Sequence, residues 1–174
     1  MNEYEEFIER NNIDKNDMES IILKVILLNI FERICKYLQK ENNMEILKSK
    51  LRKLDTPFEE LLEYKKLVKK IVDIDLSDSE IKYMQKLVSA FLNKTKTRWT
   101  LSEDMRRNIL KSQNFKCKYC GNDISVNNCI DHVIAFKYVG DELIDNYQGL
   151  CNRCNEHKRD NLYIFFDSIL KMCR

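Results

Sequence analysis

Apolar residues recur at helical intervals through the first half of the chain. Residues 18–40 carry Leu23, Ile26, Leu27, Ile30, Phe31, Ile34 and Leu38 in a stripe wide enough for a central helix, or for one that also meets a partner. Met44, Leu47, Leu51 and Leu54 make a narrower face on a second helix. Thr56-Pro57-Phe58-Glu59 opens a third, because Thr56 can cap, proline suits a first turn and Glu59 completes a capping box. Phe58, Leu61, Leu62, Val68, Ile71 and Val72 form its expected buried side. Ser77 and Glu80 repeat the capping spacing ahead of Ile81, Met84, Val88, Phe91 and Leu92. The pattern predicts a four- or five-helix bundle over residues 1–98.

Residues 93–99 (NKTKTRW) are polar and basic and read as a linker. Thr100 with Glu103 offers another capping box, for a helix over about 101–112. Beyond Phe115 the texture changes to cysteine pairs, glycines and β-branched residues, before a last helix over about 162–172 carrying Ile164, Phe165, Ile169 and Leu170. Residues 99–174 are thus expected to form a second domain. Three glycines and one proline in 174 residues oppose a sandwich or barrel, which needs many tight turns. With 44% apolar and 33% charged residues the chain has the composition of a folded, mainly α protein.

Charge is nearly balanced: 30 basic against 28 acidic residues, net +2. Residues 1–99 hold 19 basic and 18 acidic, residues 100–174 hold 11 and 10, so a polyanion would have to meet local patches rather than a global field. Lys65, Lys66, Lys69 and Lys70 cluster on the polar side of their helix and read as a solvated face before a phosphate contact. The first residues are acidic and not a basic-then-apolar leader, and Lys24 and Asn29 interrupt the apolar run over 21–31, so no membrane span is expected. A cytoplasmic location follows. In that reducing setting seven cysteines suggest metal before disulfides.

Cys117-Lys118-Tyr119-Cys120-Gly121 and Cys151-Asn152-Arg153-Cys154 are two Cys-x-x-Cys pairs with thirty residues between them. Each pair turns both sulfurs toward one ion, and two pairs complete a closed tetrahedral thiolate site, which suits structural zinc. Gly121 fits a turn that favours positive φ. The competing readings are buried reduced thiols or a redox pair; neither accounts for two matched spacings. Cys35 falls on a helical stripe and reads as core, while Cys129 and Cys173 could be core or exposed.

Between the pairs lies Cys129-Ile130-Asp131-His132-Val133-Ile134; Asn146 follows His132 by fourteen residues and Asn155 follows by nine more. With F-K-C-K-Y-C-G before it, and D-N-Y-Q-G-L-C and C-N-E-H-K after it, the stretch from about 106 to 158 resembles the HNH (ββα-metal) endonuclease family. The resemblance implies that a small zinc-stapled ββα-metal domain follows the helical bundle. It implies His132 as general base, and a catalytic divalent ion, Mg²⁺ or Mn²⁺, on Asp131 and Asn155. Asn146 would fasten the loop that aims His132. Departures are Ala135 where the family often has proline, Val139-Gly140 where it often has two glycines, and Asn155 where it often has histidine.

Arg153, Lys158, Arg159 and Lys118 are candidates to contact a nucleic-acid backbone, with a solvated surface as the alternative, and Lys116 and Tyr119 share that status. Arg106 and Arg107 are weaker. His157 fits either a supplement to the metal site or an exposed bystander. The expected activity is hydrolysis of phosphodiester bonds, DNA favoured over RNA, against a non-catalytic zinc module for nucleic acid or protein, or an interaction subunit. Docking or self-association is assigned to the helical half. Small bacterial antiviral defence systems use nuclease subunits of this kind, which makes defence the expected setting.

Overall fold

Helices form where the sequence supplies both a cap and an apolar stripe. In the computed structural model, which describes residues 3–10, 13–159 and 161, the order is α1 (Glu3–Arg10), α2 (Lys15–Leu38), α3 (Asn43–Leu51), α4 (Pro57–Val72), α5 (Asp78–Asn93), α6 (Glu103–Ser112), β1 (Cys129–His132), α7 (Phe136–Val139), β2 (Tyr147–Leu150) and α8 (Asn152–Lys158). The predicted mainly helical architecture with a small two-stranded sheet is what the described residues adopt. The helix expected over 162–172 lies outside them, as does Cys173. No described helix is long and apolar enough to cross a membrane.

Both capping boxes form. The Glu59 amide donates to Thr56 Oγ1 at 3.2 Å while Glu59 Oε2 accepts from the Thr56 amide at 3.0 Å, and Ser77 with Glu80 repeats the exchange at 3.4 and 2.7 Å. These reciprocal bonds satisfy amides that a helix start leaves without partners. The third box does not form: Ser102, not Thr100, caps α6, accepting from the Met105 amide at 3.3 Å.

The chain divides into two compact units. One comprises Ile26–Arg98 with Lys137–Leu143. Its core takes Phe31, Ile34 and Leu38 from α2, Tyr64 and Val68 from α4, and Met84, Val88 and Phe91 from α5. Phe31 and Phe91 meet edge to face at 6.5 Å, and the ring of Tyr138 lies 6.2 Å from Phe31. Each such side chain contributes about 1.5–3 kcal/mol through burial. Cys35 is in this core, as expected, and burial pushes its thiol up to about 12. Gly140 holds a φ of +57°, and a side chain there would also press on Lys94.

Four apolar positions depart from the expected buried faces. Leu23 and Ile26 on α2 are 40% and 45% exposed, and Phe58 and Leu62 on α4 are 66% and 36% exposed. The buried stripe of α4 is Leu61, Tyr64, Leu67 and Val68. Leu62 sits one residue off that stripe; Phe58 shares its phase but lies in the first turn, past its end.

The other unit is drawn from residues 1–25, 99–136 and 144–161. Within it Ile8, Ile13 and Met18 bury one another, with the Ile13 amide bonded to the Ile8 carbonyl at 3.1 Å. The strands pair antiparallel, with Cys129 opposite Leu150 and His132 opposite Tyr147. Leu110 of α6 packs with Cys117, Ile124 and Leu150. Gly149 makes this approach possible, because a β-carbon there would run into Leu110 and Ile124.

Candidate functional site

The first cysteine pair sits in a tight hairpin after α6. The Cys117 amide bonds to the Asn122 carbonyl at 2.8 Å, the Gly121 amide to the Cys117 carbonyl at 2.9 Å, and Gly121 takes a φ of +70°. The second pair opens α8, with Cys151 as its N-cap. The four sulfurs of Cys117, Cys120, Cys151 and Cys154 all lie within 4.8 Å of one another, and those of Cys120 and Cys151 are 3.7 Å apart. A zinc–sulfur length of about 2.3 Å gives a tetrahedral edge of about 3.8 Å, so the spacing suits zinc.

The electrostatics of the cluster agree. Burial opposes ionisation of Cys117, yet backbone amides of Cys120, Cys151 and Tyr119 aim at its sulfur and bring it down to about 7. Burial raises Cys120 and Cys154, and the neighbouring sulfurs push Cys154 up further. Four thiolates cannot share such a volume without a cation to compensate them. With all four positions taken by sulfur, a zinc ion here is closed to substrate and structural.

The second constellation lies on β1, β2 and α8. Asp131 and His132 are the last two residues of β1. His132 is buried to 8% exposure, its ring centroid 5.5 Å from Phe136 and 4.9 Å from Tyr147. Beyond the strand, the Val133 amide bonds to the Asn146 carbonyl at 2.7 Å. The Asn146 side chain accepts from the Ile134 amide at 2.7 Å and donates to its carbonyl at 2.8 Å. Asn146 is itself buried, so both bonds are made away from water.

Asp131 lies opposite the buried Gln148, which shares a side-chain hydrogen bond with Tyr119; burial raises the phenol of Tyr119. Asp131 Oδ2 also stands 2.8 Å from Lys158 Nζ. This corrects the expectation for Lys158: rather than reaching out to a nucleic-acid backbone, it is 1% exposed and turned in against β1. Five residues after Arg153, it projects about 140° around the helix from that arginine. Asn155, half-buried and one turn before Lys158, lies on the same side of α8. Arg153, Arg159, His157 and Lys118 are exposed.

Some contributors escaped the sequence reading. Gln113 clamps β2: its Nε2 donates to the Gly149 carbonyl at 3.1 Å and to the Lys116 carbonyl at 2.9 Å, and its Oε1 accepts from the Gly149 amide at 2.8 Å. Arg106 donates to the Val126 and Asn128 carbonyls at 3.0 and 2.9 Å, a structural task rather than a phosphate contact. The bonds to Gly149, Val126 and Asn128 span twenty or more residues and have no short-range signal.

Residues 117–161 match the family model of the HNH endonucleases. No curated protein and no solved structure matches the chain. The matched segment is an HNH domain with a four-cysteine cluster able to bind zinc, and it supports a nuclease or nucleic-acid-binding role.

Proposed function

We propose that the protein is a metal-dependent endonuclease that hydrolyses nucleic-acid phosphodiester bonds, DNA in preference to RNA, with His132 as general base. The observation that carries this reading is the placement of Asp131 and His132 at the end of β1, beside α8 with Asn155, inside the segment that matches the family. A non-catalytic zinc module has no use for that arrangement.

An imidazole nitrogen of His132 takes the proton of a water whose oxygen bonds to phosphorus as the 3′ oxygen leaves in line. The products are 5′-phosphate and 3′-hydroxyl ends. Packing between Phe136 and Tyr147 restricts the imidazole, and the Asn146 clamp on Ile134 fixes the backbone two residues beyond it. Asp131 and Asn155 offer hard oxygen donors suited to Mg²⁺ or Mn²⁺. Oδ2 of Asp131 is buried against Lys158 while the side chain keeps 22% exposure, which leaves Oδ1 as the oxygen for a divalent ion. Such an ion, when bound, stabilises charge on the transferring phosphate and the leaving oxygen. Arg153, Arg159 and Lys118, all exposed, are assigned to the nucleic-acid backbone.

The helical half is assigned docking or self-association, which exposed Ile22, Leu23 and Ile26 on α2 support. A cytoplasmic location rests on the unpaired thiols. A role as nuclease subunit in bacterial antiviral defence rests on the family resemblance alone.

The test is cleavage of plasmid, single-stranded DNA and RNA under Mg²⁺ and Mn²⁺ titration, wild type beside His132→Ala. Wild type cuts, and the variant loses at least about a hundredfold in rate while keeping its zinc. Equal cleavage by both removes the mechanism; binding without cutting by both favours the zinc-module alternative.

A further inference from the structure

The lysines of α4 do not form one surface. Lys65 Nζ lies 2.6 Å from Asp78, Lys66 Nζ 3.9 Å from Glu63, and Lys69 Nζ 3.2 and 2.8 Å from Asp73 and Asp75. Acids therefore offset three of the four. Lys70 turns instead to α2, where its Nζ donates to the Tyr37 hydroxyl at 2.7 Å and stands 5.0 Å from the ring centroid.

Around Tyr37, α2 presents Arg33, Lys36 and Lys40, all exposed. With Lys70 and Ile71 they line an open groove of about 370 Å³. Lys36 shares Glu32 at 3.0 Å; Arg33 and Lys40 have no acidic partner among the described residues. Spacings of three and four residues hold the three cations on one face, along about 10 Å of helix axis. That length matches about three base-pair steps of a duplex.

The distribution of charge points the same way. The unit of Ile26–Arg98 with Lys137–Leu143 holds 17 basic and 13 acidic residues, net +4; the rest of the chain holds 13 and 15, net −2. Seven acidic residues in the first 25 conceal this when the chain is halved by length. The positive field belongs to the helices and not to the part that carries the HNH domain. Four of the six residues that line the groove are cations, Tyr37 is taken up by Lys70 and Ile71 is half-buried, so the groove offers a ligand charge before apolar surface.

We propose that Arg33, Lys36, Lys40 and Lys70, around Tyr37, form a binding surface for the phosphodiester backbone of the nucleic-acid substrate, read without regard to sequence. The proposal rests on the nuclease reading above, since the ligand is that enzyme's substrate. Two charge-matched variants of the full chain test it: Arg33→Gln/Lys36→Gln/Lys40→Gln in the groove, and Lys65→Gln/Lys66→Gln/Lys69→Gln among the paired lysines. Binding to a labelled 20-base-pair duplex is followed by anisotropy between 50 and 200 mM salt without added divalent ion, and plasmid cleavage is measured alongside.

The groove variant should bind about tenfold more weakly at 100 mM salt, and its dependence of log affinity on log salt should flatten by about 2–3, near one unit per lost phosphate contact. The paired-lysine variant should stay close to wild type. Equal weakening of both variants, or of neither, overturns the proposal while wild-type cleavage leaves the nuclease reading intact. A wild type that neither binds nor cuts nucleic acid overturns both.

Discussion

The ammonium of Lys158 stands 2.8 Å from Asp131 Oδ2, in a place where the lysine keeps 1% of its exposure and the aspartate 22%. The two face each other without good hydrogen-bond alignment, so their attraction is mainly coulombic. Removing one partner of a buried pair strands the other charge, and the lysine is the more deeply placed of the two. Asp131→Asn should therefore destabilise by about 3 kcal/mol and Lys158→Met by less. The double variant should recover part of the loss, because neither charge is then stranded. Urea melts of the three proteins give the coupling; additivity within about 0.5 kcal/mol would exclude a mutual contribution. Any loss of cleavage in an Asp131 variant must be read beside this loss of stability.

Asn146 joins the strand return to the residues after His132 through two buried bonds to Ile134. Asn146→Ala leaves a buried amide and carbonyl without partners, which costs about 2 kcal/mol. If the clamp aims His132, the cleavage rate falls by at least about tenfold with little change in KM, and the pH profile of the residual activity is unaltered. A rate that follows only the folded fraction would reduce Asn146 to a structural residue.

How far the sequence disclosed this arrangement depends on the range of the interaction. The capping boxes of α4 and α5 and the two cysteine pairs are local, and each forms as its spacing predicts. Ser102 and Thr100 are both good caps, so only the packed helix selects between them. Lys158 stands among basic residues in sequence, and its burial depends on which side of α8 meets β1. Gly149 looks like an ordinary strand glycine until α6 is laid across it. The missed features all require knowing which elements touch.

Gly149 supplies a direct measure of that contact. Its backbone is held by Gln113, and a methyl group would meet Leu110 and Ile124. Gly149→Ala should destabilise the protein by about 1–3 kcal/mol, as overpacking does. A companion Leu110→Val change should restore part of the loss by opening room. Thermal melts of the two variants check this, and an unchanged melting temperature in Gly149→Ala would mean that α6 does not lie tightly on β2.

The cysteine cluster sets a pH dependence whose sign follows from its geometry. Cys117 is lowered to about 7 from the ordinary 9.0, so its thiolate persists in the folded cluster where a free cysteine is protonated. That contribution to stability is full above about pH 9 and is lost as pH falls through about 7. Cys120 and Cys154 are raised and hold their protons at neutral pH, and zinc must displace both. Zinc affinity should therefore rise with pH between 7 and 8, with at least about two protons released per ion, measured by titration calorimetry in buffers of different ionisation enthalpy. Release of fewer than one proton would mean that the four sulfurs do not bind the ion together. Serine at any one of the four positions should lower zinc retention, whereas Cys35→Ser should leave it unchanged, because that thiol lies in the helical core.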